Sequence, residues 1–421
     1  MHAFGRYAFV LAAAVAGLAA GVSPAGASVP GPHVQQPLIG YVLGGGTNKL
    51  DRLDPATDRM LAPIAISRGP DDMAIAPGGQ TAYVLTSHSA AWAVNLVTGE
   101  ATRVTGVGPY PYAVAFSADG ATAYVLNRRA LVAVDVATGT ILARIPQAFT
   151  PDGQLLEVAP RGHALFLLNI GTSVVTEVST VTNTVLRTLP IRFCYGPAVF
   201  SPDGRWLYVP TRSGVRAVNT SSGAVSAPVR VGHCGMGSLL LAPGGKALYA
   251  PGTGRRNATA VTRIDVTGGQ LTRAWETTVD PTGGAATLAY APDGSTLYVT
   301  TPLRNSVLPV STATGAAGPA IADNLSGNWE LSIGGSGRYL FVSNLRTVAV
   351  ISTAERRLVR TIDVAGHPSH TTFASLAAAP GGRQVFAIVS AGWIVPISTA
   401  TGRAGSRILT GSRPDRIVFA R

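Results

Sequence analysis

The sequence predicts an all-β protein built from nine copies of a four-stranded unit. Three observations support this prediction. Hydrophobic residues make up 46% of the 421-residue chain, and 49 Gly and 29 Pro divide them into short runs, a pattern typical of short strands and tight turns. A four-residue turn recurs and is followed at a fixed distance by an aromatic residue. The two ends of the chain also supply complementary parts of one unit.

The recurring turn resembles Pro-Asp-Gly and occurs eight times, with a step of 41 to 49 residues between copies. Its aromatic residue always lies six positions after the second residue of the turn. A fixed offset puts every aromatic residue on the same side of its strand, and the step suits four strands per unit. The aromatic positions are Tyr83, Tyr124, Phe166, Tyr208, Tyr249, Tyr298, Phe341 and Phe386.

A second turn, Thr-Gly or Ser-Gly, recurs in phase with the first and divides each unit into strands A, B, C and D. In the third unit, strands A to D are predicted at 112–117, 123–126, 131–136 and 140–145, with Thr138-Gly139 between C and D. The same slot holds Thr98-Gly99, Ser222-Gly223, Thr314-Gly315 and Thr401-Gly402. Two turn signals in phase make a chance repeat improbable.

The chain ends predict a closed ring. Residues 38–66 supply strands B, C and D, with Tyr41 at the aromatic position, and residues 415–420 supply an isolated A strand. Joining them completes one unit and protects the edge strands, as in a β-propeller. Nine A and nine B strands predict nine blades. Eight blades remain the alternative, if the unit around Gly252 to Asp280 is displaced.

The repeats resemble YVTN-type β-propeller repeats. The resemblance rests on Tyr124-Val125-Leu126-Asn127, Phe341-Val342-Ser343-Asn344, Tyr298-Val299-Thr300-Thr301 and Asp135-Val136-Ala137-Thr138-Gly139. It covers nearly all of the chain after the N-terminal segment. The best-known members resemble seven-bladed rings, which keeps a seven-bladed count open. Related propellers serve many functions, so the resemblance implies a fold rather than an activity.

The N-terminus predicts export. His2 and Arg6 precede an apolar stretch from Tyr7 to Ala20, and small residues end at Ala27, the pattern of a signal peptide cleaved after Ala27. We therefore expect a signal peptide at 1–27, a linker at 28–37, a single propeller domain at 38–421 and a secreted protein with no transmembrane segment. The alternative is a retained membrane anchor, for which the apolar stretch is short.

A strongly basic balance favours anionic partners. Removing Arg6 with the signal peptide lowers the net charge of +12 to +11, which suits nucleic acid, wall polymers or acidic proteins. In a propeller, the D-to-A and B-to-C loops share one end of the ring, here called the loop face, and the repeated turns share the other, the turn face. The predicted binding residues in B-to-C loops are Arg128, Arg129, Arg212, Arg255, Arg256, Arg304 and Arg346. The alternative is that they are simply solvated.

Acidic and histidine side chains in D-to-A loops suggest a second kind of site. Asp71, Asp152 and Asp415 each lie within two residues after a proline, and carboxylates converging on the channel mouth suit cation binding or acid–base chemistry. Capping of the local turn is the alternative. His233, His367 and His370 lack matched metal-ligand spacing, so we expect no metal. No dinucleotide, phosphate-loop or nucleophile motif occurs, and we expect no cofactor.

The two cysteines, Cys194 and Cys234, lie at similar positions of consecutive D-to-A loops. Adjacent blades approach closely near the axis, so we expect a disulfide in an exported protein; two buried thiols are the alternative. The sequence thus favours a secreted, monomeric, non-catalytic propeller that binds a partner protein or an anionic polymer through its loop face. A propeller hydrolase, lyase or lactonase with a site at the channel mouth is the alternative.

Overall fold

The computed structural model describes residues 37–420 except 46, 68, 87–89, 147–153, 162, 170, 195, 235–237, 254–257, 285, 302, 322–329, 335–336, 345 and 365–372. It describes only the backbone of residues 154, 233, 234, 373 and 374. The described residues form nine antiparallel blades in a ring, as the sequence predicts. No helix among them has the length and apolarity needed to cross a membrane.

The first fifteen strands belong to blades 1 to 4. Blade 1 contains β1 (Ile39–Gly45), β2 (Lys49–Asp54) and β3 (Arg59–Ala65). Blade 2 contains β4 (Pro70–Ile75), β5 (Thr81–Thr86), β6 (Ala90–Asn95) and β7 (Ala101–Val104). Blade 3 contains β8 (Ala113–Phe116), β9 (Thr122–Leu126), β10 (Ala130–Asp135) and β11 (Ile141–Pro146). Blade 4 contains β12 (Gln154–Val158), β13 (Ala164–Asn169), β14 (Val174–Ser179) and β15 (Val185–Leu189).

The remaining strands complete the ring. Blade 5 contains β16 (Val199–Phe200), β17 (Trp206–Thr211) and β18 (Gly214–Asn219). Blade 6 contains β19 (His233–Cys234), β20 (Leu240–Leu241), β21 (Ala247–Thr253), β22 (Thr259–Thr267) and β23 (Gln270–Asp280), and blade 7 contains β24 (Leu288–Tyr290), β25 (Thr296–Thr301) and β26 (Ser306–Ser311). Blade 8 contains β27 (Glu330–Ile333), β28 (Tyr339–Ser343), β29 (Thr347–Ser352) and β30 (Arg357–Asp363). Blade 9 contains β31 (Phe373–Ala378), β32 (Gln384–Val389), β33 (Trp393–Ser398) and β34 (Ile408–Leu409), and β35 (Arg413–Ala420) follows.

Strand β35 closes the ring by pairing with β1, which makes it the A strand of blade 1. The predicted closure by both termini is therefore confirmed. A bulge interrupts the pairing between Leu43 and Gly44. A Cβ on Gly44 would lie 2.0 Å from the carbonyl oxygen of Arg413, so only glycine allows this close approach.

The two repeated turns have the geometry that their glycines predict. In the A-to-B turn of blade 3, the Gly120 N–H donates to the Ser117 carbonyl at 2.8 Å, and Gly120 has a φ of 73°. In the C-to-D turn, the Gly139 N–H donates to the Asp135 carbonyl at 2.8 Å, with a φ of 70°. Glycine adopts this left-handed conformation without a steric penalty.

The long step between units 6 and 7 reflects a long hairpin and not a displaced unit. Strands β22 and β23 have 9 and 11 residues and pair along their length with two bulges. In blades 5 and 7, isolated bridges such as Val215 to Val229 and Val307 to Ile321 replace a regular D strand. The outer edges of these two blades are therefore irregular.

The core lies between neighbouring blades. Each of the nine repeated aromatic residues is at most 1% exposed, and full burial of such a side chain contributes about 2–3 kcal/mol. The described apolar residues form nine clusters, each drawn from two adjacent blades. Three tyrosines also bridge blades: Tyr41, Tyr124 and Tyr298 donate through their hydroxyls to the next blade's C-to-D turn.

Candidate functional site

In blades 3 and 8, the B-to-C loop on the loop face is held by the asparagine that directly follows strand B. The Asn127 Oδ1 accepts hydrogen bonds from the N–H groups of Arg129 at 2.7 Å and Ala130 at 2.9 Å. The Asn344 Oδ1 accepts them from Arg346 at 3.1 Å and from Thr347 at 2.8 Å. The asparagine of the repeat therefore fixes the loop backbone, while the side chains of Arg128 and Arg129 remain exposed.

Arg128 stacks on an exposed aromatic ring of the preceding D-to-A loop. Its guanidinium carbon lies 4.7 Å from the centre of the Tyr110 ring, a cation–π distance. Tyr110 is 52% exposed and has a φ of 54°, which is uncommon for a residue other than glycine. The Asn127 Nδ2 donates to the Val107 carbonyl at 2.5 Å, so the two loops are joined beneath the pair.

Tyr112 lies near Arg128. Burial raises the pKa of Tyr112, and the positive charge of Arg128 acts in the opposite direction. Tyr112 therefore stays protonated at neutral pH. Its own N–H donates to the Leu126 carbonyl at 2.9 Å, which aligns the start of the inner strand with the end of β9.

Arg212 lies on the B-to-C hairpin of blade 5 and is exposed. Its N–H donates to the carbonyl of Arg192 at 3.1 Å, and Arg192 is exposed as well. Arg192 belongs to the D-to-A segment and was not among the predicted residues. Among the residues that the structure describes, no acidic side chain forms an ion pair with Arg129, Arg192 or Arg212.

Arg304 differs from the other predicted arginines because it is neutralised. Its Nε lies 3.3 Å from the Asp280 Oδ1, and the Asp280 side chain is fully buried. The same carboxylate oxygen accepts hydrogen bonds from the N–H of Thr282 at 2.8 Å and from its hydroxyl at 2.5 Å. Arg304 therefore compensates a buried charge at the boundary of blades 6 and 7. Arg346, another of the predicted arginines, is only half-exposed.

Several predicted residues lie outside the described part of the chain. These are Arg255, Arg256, Asp152, His367 and His370. The backbones of His233 and Cys234 pair with Thr253 and Gly252, but their side chains are not described. Cys194 is 6% exposed, and its N–H donates to the Pro210 carbonyl at 2.9 Å. The disulfide stays a prediction.

The predicted carboxylates near the axis lie beside an ion pair. Asp71 and Asp415 are exposed residues of the inner strands β4 and β35. The residues that follow them, Asp72 and Arg416, form an ion pair at 2.5 Å that joins blades 2 and 1. Among the described residues, no three His, Cys, Asp or Glu side chains come close enough together to hold a metal ion.

Two carboxyl groups on inner strands were not among the predicted site residues. Burial raises the pKa of Glu157 to about 8, and its Oε1 has no hydrogen-bond partner among the described residues. Burial also raises the pKa of Glu330 to about 7, opposed by a hydrogen bond from the Leu376 N–H of 2.7 Å. Glu157 lies opposite Phe166, a position at which the other blades have Ala, Val, Leu or Ser. Aligning the repeats would have revealed it.

Comparison with solved structures identifies other propellers. The chain is similar to the dihydro-heme d1 dehydrogenase NirN in complex with DHE, with 14% identity, a TM-score of 0.61 and coverage of 90% of this chain and 74% of that one. It is similar to apo AztD from Citrobacter koseri, with 9% identity, a TM-score of 0.56 and coverage of 91% and 97%. A eukaryotic initiation factor matches with 12% identity, a TM-score of 0.63 and coverage of 91% and 100%.

These likenesses establish the propeller fold alone, because all three identities are below 25% and one fold serves many functions. No family model and no curated protein sequence matches the chain. The YVTN resemblance therefore stays an interpretation of the repeat motifs.

Proposed function

We propose that this chain is an exported, non-catalytic β-propeller whose loop face binds an anionic polymer or an acidic partner protein. Residues 1–27 would direct export and be removed as a signal peptide, leaving a propeller of the YVTN type at 38–421. The observation that carries the proposal is a set of exposed loop-face arginines, Arg129, Arg192 and Arg212, without ion-pair partners among the described residues.

The lack of neutralising partners at these three positions supports a binding role. Some described arginines pair with carboxylates, as in Arg187 with Glu177 at 3.0 Å and Arg263 with Asp265 at 2.8 Å. Exposed ion pairs contribute little to stability, but they neutralise the local field. The loop face lacks this neutralisation at three exposed arginines, so a positive potential persists there and attracts anions.

The stacking of Arg128 on Tyr110 supports the same function. A guanidinium stacked on an aromatic ring has its N–H donors in the plane of the guanidinium, so they can still donate to a ligand at its edge. Stacking also restricts the Arg128 side chain before a ligand binds, so less conformational entropy is lost on binding, which favours affinity. Because one face of the exposed ring is already covered, stacking of nucleobases is less favoured than ionic contact with phosphate, sulfate or carboxylate groups.

Charge reversal on the two faces tests the proposal. We expect Arg128→Glu/Arg129→Glu/Arg212→Glu to abolish binding of polyphosphate, measured by fluorescence anisotropy at two salt concentrations. The control reverses three exposed turn-face arginines, Arg161→Glu/Arg383→Glu/Arg403→Glu, and changes the net charge equally.

The control variant should keep most of its affinity, and wild-type binding should weaken linearly on a log–log plot against salt. Equal loss in both variants would mean that overall charge, and not the loop face, governs binding. Wild-type protein that binds no polyanion at low salt would refute the proposal.

A second candidate is a hydrolase, lyase or lactonase with a site at the channel mouth. Glu330 favours it, because a carboxyl with a pKa of about 7 is suited to general acid–base catalysis near neutral pH. Turnover of a panel of lactones and esters that is lost in Glu330→Gln, with the fold retained, would support this candidate. Absence of turnover by the wild-type protein would exclude the substrates tested.

A further inference from the structure

Arg192 and Arg212 lie on two neighbouring antiparallel segments of blade 5. Phe193 forms an isolated antiparallel bridge with Thr211. On one side of this bridge the Cys194 N–H donates to the Pro210 carbonyl at 2.9 Å, and on the other side the Arg212 N–H donates to the Arg192 carbonyl at 3.1 Å. This register places the two arginines directly opposite each other.

The hydrogen bond from the Arg212 N–H to the Arg192 carbonyl keeps the backbones of the two arginines next to each other. Like charges in this arrangement repel each other. Both arginines are exposed, and no described carboxylate forms an ion pair with either. The two arginines therefore extend from adjacent backbone positions without a carboxylate partner among the described residues.

The hairpin that carries Arg212 has a fixed backbone. The Thr211 hydroxyl donates to the Gly214 carbonyl at 2.6 Å, which closes the turn. Gly214 has a φ of 129°, and a Cβ there would lie 2.0 Å from the Val229 carbonyl oxygen. Glycine thus lets the outer segment pack directly on the hairpin. Arg212 consequently projects from a rigid support, which reduces the entropy lost on binding.

We infer that the Arg192–Arg212 pair is the binding site for one tetrahedral oxyanion, a phosphate or sulfate group of the polymer bound by the loop face. This inference rests on the proposed function. An anion between the two guanidinium groups replaces their repulsion with two charge-assisted contacts. The two oxygens of a carboxylate lie in one plane and suit one guanidinium fork, whereas the oxygens of a tetrahedral group point in different directions, and a terminal phosphate or a sulfate ester has a third, so a second fork can bind from another plane.

Arginine-to-lysine exchange tests this binding site, because lysine keeps the positive charge but lacks the planar donor fork. We expect Arg192→Lys/Arg212→Lys to weaken binding of polyphosphate at least tenfold, with the slope of its salt dependence unchanged. The control Arg161→Lys/Arg383→Lys makes the same exchange at exposed turn-face positions and should bind as wild type. Polyglutamate should lose less than threefold in the double variant.

A sulfated polysaccharide serves as a second probe and distinguishes the two oxyanions: the one with the larger loss in the double variant is the preferred ligand. Unchanged binding of both probes by the double lysine variant would overturn the inference while leaving the proposed function intact, provided that loop-face charge reversal still abolishes binding. Equal losses for polyglutamate and polyphosphate would also overturn it. A wild-type protein that binds no polyanion would overturn both.

Discussion

The tyrosine hydroxyls offer a stability test with a matched control inside the repeat. Tyr124 and Tyr83 occupy equivalent strand B positions in neighbouring blades, and both are 0% exposed. The Tyr124 hydroxyl donates to the Asn183 Oδ1 at 2.5 Å, which links blade 3 to the C-to-D turn of blade 4. The Tyr83 hydroxyl has no hydrogen-bond partner among the described residues. Replacing each with phenylalanine removes one oxygen from the same kind of environment.

The two variants should change the free energy of unfolding in opposite directions. Tyr124→Phe removes a hydrogen bond that contributes about 1 kcal/mol, and the Asn183 oxygen, which is only partly buried, can be hydrated afterwards. Tyr83→Phe removes a buried hydroxyl whose desolvation without a partner costs about 1–3 kcal/mol. We therefore expect Tyr124→Phe to destabilise the protein by about 1 kcal/mol and Tyr83→Phe to be neutral or stabilising.

Chemical denaturation is the appropriate assay. Unfolding entropy is roughly 2 cal/mol/K per residue, so 1 kcal/mol moves the melting temperature of a propeller of this length by only about 1 °C. A shift of the denaturation midpoint at constant slope reports the same change more clearly. If both variants lose equal stability, then the hydroxyl contact with Asn183 is not what couples the blades, and the reasoning fails.

Three further predictions follow from the buried charges and the cysteines. The Glu157 carboxyl ionises near pH 4.5 in the unfolded chain but has a pKa of about 8 in the folded protein, so stability falls as the pH rises from 5 to 8, by at most about 5 kcal/mol. Glu157→Gln should remove this loss, and a variant whose pH-dependent denaturation matches that of the wild type would contradict the prediction. Arg304→Ala should cost about 3 kcal/mol because it leaves the fully buried Asp280 carboxylate without its cation, so Asp280→Asn/Arg304→Ala should recover part of that loss in denaturant titrations. Intact mass without reductant should be 2 Da below the mass after reduction, if Cys194 and Cys234 are joined; alkylation of both cysteines without reduction would exclude the bond.

The fold could be predicted because its determinants are local and repeated. Glycines such as Gly120 and Gly139 specify turns whose φ angles of 73° and 70° other residues adopt with difficulty. The fixed offset from turn to aromatic residue sets the register, and the structure buries all nine aromatic side chains. The closing strand followed from the missing A strand at the N-terminal end, which is also local information.

The candidate site could be predicted only in part, because it depends on contacts between segments that do not repeat. The opposition of Arg192 and Arg212 follows from a bridge between Phe193 and Thr211, outside the regular strands. The neutralisation of Arg304 joins a B-to-C loop to the end of the preceding blade's outer strand. Such pairings are fixed by the assembled ring and not by either segment alone.

The repeat itself places carboxylates on the turn face of the ring. In the A-to-B turns, Asp119, Asp203 and Asp293 accept hydrogen bonds from backbone N–H groups two residues ahead, and hydrogen bonds hold the pKa of each carboxyl below its usual value. The repeat thus requires ionised carboxylates on the turn face. The B-to-C loops have no such requirement, since Asn127 and Asn344 stabilise them with neutral amides. We therefore expect an anionic ligand to approach from the loop face, and the matched charge reversals on the two faces test this expectation.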